Sequence, residues 1–401
     1  MGKTFDWSLF VAALLLSIIG IVLIYAASYY SLQPETKALS LKQLIWLGIG
    51  LGVCAGIYFT PLKIHEAFSF VYYFSIIVVL IILLATTGGV ATRWFRLGGF
   101  NIQPSELAKL AVVLAVSRYI AFRKIKPGDL SWIFVILLFI SVPAALVLVQ
   151  PDLGSSLVFF AIFIAMLFWS GLPLTKIILI ISPIISLICA FHWFSWAVFF
   201  FLLLVLVFVS RLRISQGSFF VTVNLAVGMI TPIMWNKLHD YQKMRIITFL
   251  DPGQDPRGAG YQIIQSKIAV GAGGLFGQGF LQGTQTKLNF LPEQHTDFIF
   301  SVLAEQFGFV GCLIVLILFA WIIYRGFAIA LKARNQFYSY AACGLTAVLV
   351  FQAIINIGMT IGLMPVTGLP LPFMSYGGSS MVFFWASIGL LLTINRNWQE
   401  Y

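Results

Sequence analysis

The residues best suited to chemistry crowd into a few short stretches. The densest is Leu291-Pro-Glu-Gln-His-Thr-Asp-Phe-Ile-Phe300, where polar side chains run up to the start of a long apolar segment. Thr296 is placed to cap a helix beginning there. Asp297 is placed in its first turn, where the helix dipole favours a carboxylate. The same position suits a general base, a carboxylate held at a membrane surface and tuned by burial and by His295 beside it. On these residues alone, capping and catalysis both stay open. Gln103-Pro-Ser-Glu-Leu-Ala-Lys109 puts Glu106 and Lys109 on one helical face within an apolar segment. Charges so placed either form a structural pair or face a polar cavity. Asp152, in Gln150-Pro-Asp-Leu-Gly154, reads first as a helix cap and second as a cavity acid. Arg93, in Thr92-Arg-Trp-Phe95, is either a solvated loop cation or a partner for an anion.

A second group of residues suits phosphate. His239-Asp-Tyr-Gln-Lys-Met-Arg245 carries Lys243 and Arg245, and Arg257 and Lys267 follow. Next comes Gly271-Ala-Gly-Gly-Leu-Phe-Gly-Gln-Gly279, whose glycines allow tight turns and close backbone approach to a ligand. No Gly-Lys-Ser/Thr follows, so this is not a phosphate loop. Together these residues could seat a pyrophosphate headgroup; ordinary contact with membrane lipid phosphates is the alternative. Asn356-Ile-Gly-Met359 and Pro370-Leu-Pro-Phe-Met-Ser-Tyr-Gly-Gly-Ser-Ser380 imply non-helical backbone at membrane depth, tolerated where it is buried in protein or lines a cavity. Close helix packing through small residues is the other reading. The four cysteines lie in apolar runs without close pairing, and the four histidines show no zinc spacing.

The elements that must hold these groups follow from composition. Of 401 residues, 60% are apolar, 16% aromatic and 9% charged, with mean hydropathy +0.99. Soluble domains carry roughly 25% charged residues, so a soluble or disordered chain is excluded. An all-α, multi-pass membrane protein remains. Apolar runs long enough to span fall near 8–30, 42–60, 68–86, 104–122, 131–149, 153–171, 175–192, 194–210, 217–236, 298–325, 338–363 and 376–395. The first is too long for a signal-peptide core and reads as a retained helix. The whole chain, 1–401, reads as one integral membrane domain with a single sizeable loop at about 237–297.

With 24 Lys+Arg against 13 Asp+Glu the net charge is +11, which in a soluble protein would suggest nucleic acid. An even number of spans with cytoplasmic termini places 13 of the basic residues, and only four acids, on the inner side. The positive-inside rule supports that orientation. The excess charge then reports topology, and nucleic-acid binding is not expected. Most acids, and the long loop, fall on the outer side.

Taken in order, the motifs resemble the SEDS family (shape, elongation, division and sporulation), and most its RodA branch. The likeness runs through the whole chain: Arg93-Trp94, QPSELAK at 103–109, QPDLG at 150–154, HDYQ at 239–242, DP-x-x-DP-x-GAGY at 251–261, QSKIA-x-G at 265–271, LPEQHTDFIF at 291–300, NIGM at 356–359 and PLPFMSYGGSS at 370–380. The resemblance implies a bundle of 10 to 12 transmembrane helices with one large extracytoplasmic loop. It implies a peptidoglycan glycosyltransferase of the bacterial cytoplasmic membrane that polymerises lipid II on the outer face during elongation and shape maintenance. Undecaprenyl pyrophosphate would be released, and a class B penicillin-binding protein would be the transpeptidase partner. It makes Asp297 the catalytic residue and implies a divalent cation, Mg2+ or Mn2+, without indicating where a metal binds.

Two departures stand out. The family usually has ten spans, and the surplus here lies within 172–236, as an added hydrophobic hairpin that leaves the side of Asp297 unchanged. At Glu305-Gln306, relatives often carry two consecutive acids, and only one remains. In the expected mechanism Asp297 takes the proton of an acceptor sugar hydroxyl, with Arg93, Lys109, Lys243, Arg245 and Lys267 as candidates to neutralise pyrophosphate, and with Glu106, Asp152, His295 and Thr296 ordering the substrate. The rival readings are a lipid II flippase, which the intramembrane charges fit in part, and a non-catalytic scaffold for the penicillin-binding protein.

Overall fold

The computed structural model describes residues 5–31, 33–86, 93–97, 100–123, 131–237, 243, 248, 251–256, 258, 260–288 and 290–399. Each of the twelve apolar runs is a helix: α1 (Trp7–Ser28), α2 (Leu39–Phe59), α3 (Leu62–Thr86), α4 (Pro104–Phe122), α5 (Ser131–Val149), α6 (Leu153–Trp169), α7 (Leu174–Cys189), α8 (Trp193–Val209), α9 (Ile214–Lys237), then α12 (Ile299–Lys332), α13 (Gln336–Thr360) and α14 (Gly378–Arg396). Between α9 and α12 lie α10 (Tyr261–Ala272) and the single turn α11 (Thr284–Lys287). Eight of these helices are long and apolar enough to cross a membrane, and α6, α7 and α8 are shorter apolar helices. The remaining one, α4, carries Glu106, Lys109 and Arg118. The protein is thus a polytopic helical membrane protein. Among the described residues, β1 (Phe95–Leu97) and β2 (Phe100–Ile102) depart from the helical pattern and form an antiparallel ribbon pairing Phe95 with Ile102.

The chain forms two compact units, residues 1–166 with 255–401, and residues 167–254. In the second, Asn224 of α9 donates to the Ser182 hydroxyl of α7 (2.8 Å), Ser186 donates to the Asn224 carbonyl (3.0 Å), and the Trp196 indole of α8 donates to Ser186 (3.1 Å). This buried network joins all three helices, each such bond contributing about 0.6 kcal/mol in an apolar medium. Gly228 is flat against the Trp196 ring, where any side chain would collide.

In the first unit α2 and α14 run side by side, with Gly50 and Gly378 against the Trp385 and Trp46 rings and Gly389 against the backbone of Cys54. Small residues here let large aromatics pack across the pair. Asp6 accepts from the Leu9 amide at the start of α1 (3.2 Å) and pairs with Arg325 of α12, which fixes the relative height of those helices. Helix α12 is broken at Gly308 (φ 64°, ψ −161°). The carbonyls of Glu305 and Gln306, which would have bonded Phe309 and Val310, accept instead from Gln278 (2.9 Å) and Gly279 (3.1 Å). The freed amides of Phe309 and Val310 donate to Gly274 (2.9 Å) and Leu275 (3.1 Å). The glycine cluster therefore approaches a protein backbone closely: side chains at Gly273 and Gly277 would collide with the Ala304 and Gln306 carbonyls. The α13–α14 connection also dips inward, with Met374 against Gly20 of α1. Its residues from Leu371 to Ser375 are buried, so irregular backbone is here enclosed by protein, as membrane depth requires.

Candidate active site

One end of the first unit gathers the ends of α1 and α13 and the starts of α2, α4, α6, α12 and α14. The turn Glu293–Asp297 sits among them. Glu293 adopts φ 51°, and its carbonyl receives the amides of Thr296 (3.2 Å) and Asp297 (3.1 Å). Gln294 is buried and donates to the Ala27 carbonyl at the end of α1 (2.8 Å).

Three consecutive carbonyls beyond it are held from the α13–α14 side. His295 accepts from the Tyr376 amide (2.9 Å), Thr296 from the Ser375 hydroxyl (2.5 Å) and Asp297 from the Asn356 side-chain amide (3.0 Å). Asn356 also donates to the Leu369 carbonyl (2.8 Å). Gln43 of α2, fully buried, braces the same loop by donating to Ser375 (3.1 Å) and accepting from Gly377 (3.1 Å). The turn carrying Asp297 is thus held at every residue, at Gln294 through its side chain.

The capping role expected of Thr296 is not what forms. Phe298 occupies the cap position of α12 without a side-chain bond, and the Thr296 hydroxyl donates back to Glu293 (3.2 Å). The Asp297 carboxylate is left facing Gly368, where an added methyl group would stand 3.7 Å from Oδ2. Gly368 has φ 73°, a conformation that glycine adopts without strain. Its neighbour Thr367 presses its carbonyl against Gly154 at the start of α6. Burial, and next the charge of Glu293, push the Asp297 carboxyl up to about 6, against the pull of Thr296 and Arg93; Asp152 adds a further push. A half-buried acid titrating near neutrality is suited to taking and returning a proton. Burial lowers the His295 imidazole, with Glu293 opposing, so the ring next to Asp297 is held toward its neutral form. Its edge meets the Tyr376 ring at 6.0 Å.

Asp152 is a helix cap: its carboxylate accepts from the Ser155 amide (3.1 Å) and hydroxyl (2.8 Å), and from the Gln103 side chain (2.9 Å). Gln103 in turn receives the Ser379 hydroxyl as an acceptor for its backbone amide (2.8 Å). Arg93, at the foot of the ribbon, donates to the carbonyls of Gln150 (3.4 Å) and Pro151. Glu106 and Lys109 form a fully buried pair at 2.6 Å, with the ammonium also 5.0 Å above the Phe383 ring. The second Glu106 oxygen has no partner among the described residues.

A model of the FtsW/RodA/SpoVE family of cell cycle proteins matches residues 6–197 and 194–400. The chain belongs to this family. The peptidoglycan glycosyltransferase MrdB of Escherichia coli K12 is 36% identical over 403 residues, covering 98% of this chain and 96% of MrdB. The peptidoglycan glycosyltransferase RodA of Treponema pallidum is 33% identical over 426 residues, 98% of this chain and 97% of that one. Among solved structures, a chain of a peptidoglycan synthase complex that coordinates polymerization and crosslinking superposes with TM-score 0.75 at 27% identity, over 99% of both chains. The rod shape determining protein RodA of Thermus thermophilus superposes with TM-score 0.64 at 25% identity, again over 99% of both.

Within this FtsW/RodA/SpoVE chain, Asp297, Thr296, His295, Arg93 and Asp152 come together, and Glu106–Lys109 lies along α4 below Gln103. Lys267 is exposed on α10, its aliphatic stem over Gly362 at the end of α13. Lys243 belongs to the other compact unit, and Arg245, Arg257 and the HDYQ motif lie outside the described residues. Gln103, Gln294, Asn356 and Ser375 lie within motifs that the sequence singled out, without a role being assigned to them, and Gln43 lies in none of those motifs. Gln43 carried one signal, a lone amide in an otherwise apolar span, where polar groups need a reason.

Proposed function

We propose that this protein polymerises lipid II into glycan strands as a peptidoglycan glycosyltransferase serving cell elongation and shape. The observation that carries the reading is Asp297, half-buried with a pKa of about 6 and immobilised through three carbonyls at a site built from seven helix ends. The acceptor sugar's 4-hydroxyl loses its proton to Asp297 as its oxygen attacks the anomeric carbon of the growing strand. The bond to undecaprenyl pyrophosphate breaks with inversion, and the leaving group departs with the electron pair. General-base assistance of this kind is worth roughly 10²–10⁴-fold. Arg93 is the cation placed to meet the pyrophosphate, its field already acting on Asp297. His295, held toward neutrality, adds no positive charge that would depress the base.

Orientation follows from the charge distribution: both termini cytoplasmic, Asp297 extracytoplasmic, and the substrate's polyprenyl chain in the bilayer. A class B penicillin-binding protein is the partner that fits, given the likeness to a synthase complex in which polymerization and crosslinking are coordinated. A divalent cation is a poorer match to the residues. Among the described residues no three His, Cys, Asp or Glu side chains converge, and the Asp152 oxygens are committed to Gln103 and Ser155. No step is assigned to a metal.

The deciding experiment reconstitutes the purified protein with its transpeptidase partner and lipid II, comparing wild type with Asp297→Ala. Glycan chains from the wild type and none from the variant support the enzyme. Normal polymerisation by Asp297→Ala removes the base assigned here, and lipid II translocation without polymer favours a flippase.

A further inference from the structure

We propose that the apex Gly274–Phe280, between α10 and α11, is an interfacial membrane anchor that inserts Leu275 and Phe276 into the bilayer and sets the height of the Asp297 turn. This rests on the glycosyltransferase reading for its purpose, though not for its existence. Leu275 is 66% and Phe276 79% exposed, adjacent large apolar side chains that are open to their surroundings outside any spanning helix. Their neighbours across the broken turn of α12, Phe309 and Val310, are themselves exposed on a helix long enough to span.

Depth can be read from α1. Asp6 pairs with Arg325, and Gly308 lies 17 residues nearer the other end of α12. At ~1.5 Å per residue this places Gly308 beside Leu23, about 7 Å inside the end of α1 at Ser28. A direct contact agrees: the Tyr30 hydroxyl just beyond α1 donates to the Leu281 carbonyl (3.2 Å). That zone is where Tyr25, Tyr29 and Tyr30 are exposed, the place of an aromatic belt. Amphipathic anchors bury their apolar face roughly 5–10 Å into the same boundary.

Irregular backbone at such a depth must satisfy its polar groups internally. The four bonds exchanged with Glu305, Gln306, Phe309 and Val310 do this, which gives the glycine cluster its reason. The occupant is therefore lipid, not a protein partner. The consequence for catalysis is mechanical. From the apex the chain runs through α11, clamped to Glu305, directly into the Glu293–Asp297 turn, so the anchor holds the acid at a fixed level above the acyl region, where a lipid-linked pyrophosphate is presented.

The test uses the full-length protein in phosphatidylcholine/phosphatidylglycerol vesicles, nitroxide-labelled in turn at Phe276→Cys, at lipid-facing Phe309→Cys and at Gln33→Cys beyond α1. Unmodified protein supplies the background from Cys54, Cys189, Cys312 and Cys343. The Phe276 label is expected to collide with oxygen several-fold more than with a water-soluble nickel chelate, as at Phe309. Accessibility to nickel like that at Gln33 overturns the anchor, as does shielding that appears only when a partner protein is added. The link to catalysis is read by the double variant L275S/F276S, expected to polymerise several-fold more slowly than wild type in vesicles but equally in detergent. Equal loss in both media leaves only a folding defect and overturns that link. Wild type that makes no glycan in either medium defeats the glycosyltransferase reading while leaving the depth measurement standing.

Discussion

Asp297 and Glu305 stand eight residues apart at the head of α12, and the protein treats them in opposite ways. Glu305 is fully buried, yet its carboxylate receives the amides of Gln285 (2.7 Å) and Thr286 (3.1 Å) and the hydroxyls of Thr284 (3.4 Å) and Thr286 (2.6 Å). Gly283 is pressed against it, with no room for a side chain. Charge-assisted bonds from backbone amides stabilise an anion where water cannot. Asp297 is more open to water, but its backbone receives the bonds while its carboxylate keeps little more than Thr296 and the field of Arg93. One acid is spent on holding α11 in place. The other is held in place and left reactive, and its partial lack of partners is the functional property.

Substitutions should separate the two. Asp297→Asn removes the base and leaves the fold, so polymerisation should fall roughly 10²–10⁴-fold. Its stability should exceed wild type at pH 8 and match it near pH 4. The sign follows from an elevated pKa: the folded state prefers the protonated acid, so stability is lost as pH rises from the ordinary carboxylate range through about 6, and asparagine escapes that loss. Thermal melts at the two pH values check this, and a variant less stable than wild type at pH 8 would place Asp297 among the structural acids. The wild-type kcat/KM profile should show an acid limb near pH 6. Glu305→Ala should instead strand two buried amides, costing on the order of 3 kcal/mol of stability, visible as a large drop in Tm. A Glu305→Ala protein with normal Tm and abolished chemistry would reverse the comparison.

How far the contrast could be read beforehand depends on what carries it. Apolar run length marked the twelve apolar helices, because burying apolar side chains in a bilayer dominates their formation. Asp152 as a cap also followed from local pattern, a proline-led helix start. The anchoring of Asp297 did not. Its bonds come from Asn356, Ser375 and Tyr376, some 60 to 80 positions away, and no local rule pairs such residues. The capping expected of Thr296 failed because the left-handed turn at Glu293 takes the hydroxyl back on itself. The glycines of 271–279 were recognisable as sites of close approach, but their partner, the interrupted turn at Gly308, lies inside a run read as one continuous span.

A finer cut comes from the support around each acid. Asn356→Ala removes the side-chain donor to the Asp297 and Leu369 carbonyls, so kcat should fall about tenfold, the equivalent of one net hydrogen bond, with KM little changed. Looser packing admits water to Asp297, so the acid limb near pH 6 should move toward the ordinary carboxylate range; a purely structural loss would lower the rate without moving that limb. Asp152→Ala is the smallest effect expected. It deletes the α6 cap and the Gln103 contact, about 1 kcal/mol of stability, and also removes a like charge that pushes Asp297 up. The acid limb should therefore drop slightly while the rate at pH 8 stays within a few-fold of wild type. If Asp152→Ala instead abolished polymerisation at every pH without lowering Tm, Asp152 would join Asp297 among the reactive acids, and the division between acids that hold and an acid that acts would have to be redrawn.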